Sequence, residues 1–281
     1  MKIIGRIFLF IISYTIIVGI FQLIGMLVAG IDFDNLEYKE TATQRLISGV
    51  FNLAGTFLVI WLFMKFVDKE HFVKLGFQTK NRLKEFITGI TLGLIIMATG
   101  YFLLLIFKEI YFIKVNFDFK EILISVVYFT IVAFVEETLI RGYVLKNIMS
   151  SFNKYAALIV SSILFSLMHA FNPNVDLFSL FNLFLAGILL GLSYIYTKNL
   201  WFPIALHFSW NLFQTLLGFN VSGQDTYSII EFKINESNLL NGGAFGFEGS
   251  YLSIIEQLLT IIAIGIYYNR KKTELSILES E

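Results

Sequence analysis

Eight runs of apolar residues, each near the 20 or so needed to cross a bilayer as a helix, constrain this chain more than anything else in it. They fall roughly at 7–30, 47–67, 87–107, 122–142, 155–172, 177–196, 201–219 and 251–268. Only 15% of the 281 residues are charged and 57% are hydrophobic, whereas a soluble domain carries about a quarter charged residues. The chain therefore reads as a membrane protein. Pro173 and Pro203 are its only prolines, which suits a chain made mostly of helix. The expected fold is all-α: one polytopic helical bundle over 1–281 with about eight transmembrane helices, no internal repeat and no soluble domain. The first apolar run is too long for the 7–15-residue core of a signal peptide and reads as a retained helix.

Net charge is zero, so no global field favours nucleic acid. There is no cysteine, which removes disulfide and thiolate chemistry. Lysine and arginine set the orientation. With an inner N-terminus, Lys2, Arg6, the basic residues of 65–84, Arg141, Lys146, Lys154, Lys198 and Arg270 to Lys272 share one side. Only Lys39, Arg45, Lys108, Lys114, Lys120 and Lys233 fall on the other. Both termini are expected to be cytoplasmic, and an even number of spans agrees in placing them on one side.

Against this apolar background three polar groups stand at membrane depth, where ionisable residues are rare and usually functional. "EETLIR" supplies Glu136, Glu137 and Arg141 on the fourth segment; "FSLMH" supplies Phe165 and His169 on the fifth; "HFSWN" supplies His207 and Asn211 on the seventh. Glu137 and Arg141, four apart, share a helix face and can form an ion pair. Glu136 lies about 100° around the helix, so one pair cannot satisfy both carboxylates. His207 and Asn211 are again four apart. The third histidine, His71, lies in the charged link "DKEHFVK" and reads as a solvated surface residue. Taken singly, each group has a structural reading: an ion pair fastening helices, a packed histidine, interhelical hydrogen bonds. Together they limit the chemistry. No serine or threonine stands beside an ordered base. A buried glutamate with a histidine can activate water, a second histidine and an amide can hold an oxyanion, and Glu136, His169 and His207 also make a zinc-type ligand set.

At these residues the chain resembles the CPBP family of intramembrane endopeptidases, which groups type 2 CAAX prenyl proteases with bacterial relatives implicated in bacteriocin immunity. The family pattern of EExxxR, FxxxH and HxxxN on successive helices is complete and in order here. The resemblance implies a catalytic core over 122–219 in a bacterial plasma-membrane protein. It implies hydrolysis of a peptide bond in a peptide or membrane-protein tail, prenylated or not. Glu136 and His169 would activate water, His207 and Asn211 would stabilise the oxyanion, and Glu137, Arg141 and Phe165 would order the site. No cofactor is firmly implied; zinc, if present, would take Glu136, His169 and His207. Partners would be the substrate and the bilayer. The competing classes are a non-catalytic regulator or immunity scaffold on the same fold, and a small transporter, the latter weakened by the lack of inverted repeats.

Two points strain this reading. On simple helices Glu136 lies well below the outer end of its span and His169 close to the outer end of its own. Their meeting requires a long or inwardly displaced fourth helix, or a turn at 170–176 sunk into the bundle. The link 220–250 reads as a lid or as a plain loop, Glu256 as a carboxylate facing that loop or a cavity, and 269–281 as a solvated tail.

Overall fold

A computed structural model describes residues 3–32 and 39–278. Lys2, part of the 31–46 link and the last three residues of the tail lie outside them. The chain opens with α1 (Ile3–Ala29) and α2 (Ala42–Leu62). Thr41 caps α2 in a reciprocal box with Gln44, accepting its N–H at 3.3 Å and donating its own to Gln44 Oε1 at 2.9 Å, which satisfies two otherwise orphaned donors. A π-helical turn (Phe63–Asp68) extends α2, and α3 follows at Leu83–Ile106. After strand β1 (Ile110–Val115), α4 (Phe119–Glu137) starts at Asp118, whose carboxylate accepts from the N–H groups of Lys120 and Glu121. It runs on through a π-helical stretch (Thr138–Leu145) into α5 (Lys146–Met149). Then come α6 (Lys154–Leu167), α7 (Leu177–Thr197), α8 (Trp201–Leu216), strand β2 (Ile230–Ile234) and α9 (Tyr251–Leu278).

All eight apolar segments are helical, but not all span alike. Among the described residues, six helices are long and apolar enough to cross a membrane: 3–29, 42–68, 83–106, 119–149, 177–197 and 251–270. With 14 residues in α6 and 16 in α8, these two reach about 21 and 24 Å at 1.5 Å per residue, short of a hydrocarbon layer of about 30 Å. The protein is an integral membrane protein of helical type, with exposed apolar side chains such as Phe8, Ile20, Ile95 and Ile262 on its helix exteriors.

Where apolar burial gives no net advantage over lipid, close packing holds helices together. The α3–α8 contact shows how: a Cβ on Gly93 would stand 2.0 Å from Ser209 Oγ, so only glycine admits α8 at this distance. Ser209 Oγ then donates to the Gly89 carbonyl at 3.1 Å. On the other side of the bundle, Gly187 of α7 lies so close to α6 that its Cβ would meet Ser162 Cα at 2.8 Å.

One expectation needs correcting. The 220–250 link is neither a simple lid nor a plain loop. Its β2 pairs antiparallel with β1, with a bulge between Phe112 and Lys114, while Phe245, Phe247 and Glu248 are buried. In the expected tail the backbone continues as α9 to Leu278, and Asn269 and Arg270 are exposed.

Candidate active site

The depth conflict dissolves once α4 is followed to its true end. From Met149 back to Glu136, and from Lys154 forward to His169, each path covers roughly 20 Å at helical rise, and the two helices share the turn at 150–153. The fourth helix is the longer by extension through 143–149. The expected helix over 155–172 instead stops at Leu167, leaving His169 on a turn whose backbone bond runs from its N–H to Ser166 O. Pro173 disfavours helix in the residue before it, and Asn174 adopts a left-handed conformation with φ 58°.

The site is organised by Glu137. Its Oε1 accepts from Arg141 Nη1 at 2.7 Å and from His207 Nδ1 at 2.8 Å. Glu137 and Arg141 are both fully buried. Arg141 also donates from Nη2 to the Gly187 carbonyl at 3.1 Å, and its guanidinium lies 4.4 Å from the Phe165 ring centre. One buried ion pair thus connects α4, α6, α7 and α8. The π-helical stretch that begins just after Glu137 carries Arg141; such bulges recur at functional sites.

Because a carboxylate oxygen only accepts, His207 Nδ1 carries a hydrogen and Nε2 faces away from Glu137. It faces Glu136, whose Oε2 lies 3.9 Å from His207 Nε2 and 3.9 Å from His169 Nε2. The His169 tautomer is fixed likewise, since its Nδ1 donates to the Phe165 carbonyl at 2.9 Å. The adjacent glutamates therefore divide the work around one imidazole, Glu137 at one nitrogen and Glu136 at the other. Phe165 packs against both histidine rings at 5.0 and 6.1 Å between centroids. All of this borders a cavity of about 290 Å³, which Asn211 also lines beside His207. Residues from eight different stretches of sequence meet there.

Glu136 Oε2 stands farther from the two histidine nitrogens than ligands sharing one metal ion stand from each other. Ligands sharing a tetrahedral zinc at about 2.0 Å are about 3.3 Å apart, less than the 3.9 Å separations here. Among the described residues no group of three His, Cys, Asp or Glu side chains is placed to hold a metal ion. A separation of 3.9 Å is also too long for a direct hydrogen bond and is one that a single water bridges.

Some members of the site carry no sequence signal. Glu248 lines the cavity and its Oε2 accepts from Ser222 N at 2.7 Å and Ser222 Oγ at 2.8 Å. Asn172 donates to the Ser222 carbonyl at 3.0 Å, closing the wall between the 168–176 turn and the 220–250 link. Glu256, by contrast, is on α9 outside this cavity, with both carboxylate oxygens buried.

Residues 118–213 match the family model described as Rce1-like, Type II CAAX prenyl endopeptidase Rce1-like. This is the family that the three motifs resemble, and the matched segment contains all of them. No curated protein and no solved structure is found to match the chain.

Proposed function

We propose that this relative of the type II CAAX endopeptidases is an intramembrane endopeptidase that hydrolyses a peptide bond with water activated by Glu136 and His169. The observation that carries the reading is the position of Glu136 Oε2, equally 3.9 Å from two imidazole nitrogens in a polar-lined cavity. That oxygen is buried and has no hydrogen-bond donor in the protein. An orphaned buried acceptor costs about 1–3 kcal/mol, a cost that a bound water relieves.

In the reaction, water gives its proton to Glu136 and its oxygen attacks the peptide carbonyl carbon. His207, donating from Nε2, and Asn211, donating from its amide, receive the developing oxyanion. The proton then passes to the leaving amine from Glu136 or through His169. A doubly protonated His207 has its charge balanced by the Glu137 carboxylate on Nδ1. Glu137, Arg141 and Phe165 are positioning residues: Glu137 and Phe165 touch the histidines, Arg141 touches Glu137 and Phe165, and none touches the reacting atoms. General-base catalysis of this kind contributes roughly 10²–10⁴-fold, and each oxyanion donor about 10²–10³.

The single domain is 1–281, with its catalytic core over 122–219, and a bacterial plasma membrane suits it. The substrate is the tail of a membrane protein or a peptide, with or without a prenyl group. Purified wild type, Glu136→Gln and His169→Ala are incubated in detergent with quenched peptides, some farnesylated, and cuts are located by mass spectrometry. Cleavage by wild type alone is expected, unchanged by a chelator. Cleavage surviving in both variants would sink the proposal, and a chelator-sensitive rate would replace water held by side chains with metal-bound water. If wild type is silent while Glu136→Gln retains full biological effect, the chain is a binding scaffold instead.

A further inference from the structure

The cavity around Glu136 is sealed at one end and open at the other, and the two ends differ in charge. Its floor is the Glu137–Arg141–His207 network, with Tyr143 and Leu145 fully buried beyond it. Past that floor lie the helix ends and links that carry Lys146, Lys154 and Lys198 and the basic residues from Lys65 to Lys84. In the opposite direction the wall turns polar and comes from the segment after α8, with Ser222, Gln224, Thr226 and Glu248. A second cavity of about 230 Å³ continues the path; it shares Tyr128, Phe129 and Thr226 with the first and reaches Arg45 and Glu121 at the beginnings of α2 and α4. Gln22 and Asn52 of α1 and α2 face the first cavity as well. Polar groups of this kind at membrane depth line water-filled paths.

Cytoplasmic ends of membrane helices carry the excess of lysine and arginine. The sealed end is the basic one. We infer that Glu136 is reached from the non-cytoplasmic side, so that the polypeptide it acts on is an extracytoplasmic loop or tail of a membrane protein, or an exported peptide. Action on a polypeptide rests on the proposed function; the side of access does not.

The absence of native cysteine makes the test direct. Single-cysteine variants of the full chain are made at Asp225, which is exposed and lines the second cavity, at Met168, which lines the first beside His169, and at Lys74, which is exposed in the basic link. Intact bacterial cells expressing each variant are treated with a membrane-impermeant maleimide, then compared with inside-out vesicles. Asp225→Cys and Met168→Cys should label in intact cells and lose labelling in sealed inside-out vesicles, with Lys74→Cys showing the reverse. The inference is overturned if Lys74→Cys labels from outside. It is equally overturned if Met168→Cys reacts only from the inner face, or from neither. Labelling needs no activity. A chain that labels as expected but cleaves nothing therefore keeps its side of access and loses its reading as a protease.

Discussion

Glu137 Oε1 accepts from both Arg141 and His207, and this shared oxygen separates residues that hold the site from residues that act in it. Removing one partner of a buried pair leaves an uncompensated charge and costs about 3–5 kcal/mol, whereas removing both is far cheaper. Arg141→Met should therefore lower the unfolding temperature in detergent markedly, and adding Glu137→Gln should restore much of the loss. Simple additivity of the two losses would show that the pair is not the unit described. Glu136→Gln, which disturbs no protein hydrogen bond, should abolish cleavage with the unfolding temperature nearly unchanged; a large thermal shift there would mark Glu136 as structural. The Glu137–Arg141 pairing was legible because four-residue spacing on a helix is a local property. The bond to His207 was not, since it joins residues 70 apart in sequence, and spacing within one helix says nothing about what a neighbouring helix presents.

At the scale of elements, α8 carries His207 and Asn211 and is held against α3 by glycine. Gly93→Ala pushes a methyl into Ser209 Oγ, and overpacking of this kind costs about 1–3 kcal/mol. Cleavage should fall with stability, because any displacement of α8 carries both oxyanion groups with it, and Ser209→Gly in the same chain should recover part of both. No recovery would place the fault elsewhere than in this contact. A second element, the link after α2, is tied to α5 by the Lys146–Glu70 ion pair. The hydrogen bond from Lys146 holds the Glu70 carboxyl below its ordinary value of 4.5. A group whose folded value is depressed binds fewer protons when folded, so its contribution is present above the ordinary value and is lost as pH falls through the lowered one. Wild type should lose stability relative to Glu70→Gln between about pH 5 and the lowered value, as unfolding scans in detergent would detect; parallel curves would show that the pair contributes nothing.

Across the whole molecule, the apolar helices and the three motifs were readable because each is encoded by nearby residues. What escaped was long-range or depended on where a helix stops. α6 ends at Leu167 and not near residue 172, so His169 is on a turn, and the fourth helix runs on to Met149; apolar composition continues past one helix end and gives out before the other. The β1–β2 ribbon was invisible for a different reason. Five of the six β1 residues are exposed, so no alternation of apolar and polar side chains announces a strand, and its partner lies beyond α4 to α8 in sequence. Yet this ribbon joins the link before α4 to the link after α8, the two helices that carry Glu136 and His207. Tyr111 and Lys233 stand opposite each other in its register and are both exposed. Paired cysteines there meet the Cα separation of about 4.4–6.8 Å that a disulfide requires, and no native thiol competes. Mild oxidation of Tyr111→Cys/Lys233→Cys should remove two hydrogens from the intact mass without dimer formation, and should raise the unfolding temperature through closure of a long loop. Failure of the intramolecular bond to form, with both thiols still reactive to maleimide, would refute the register and with it the frame that fixes α4 and α8 around the cavity.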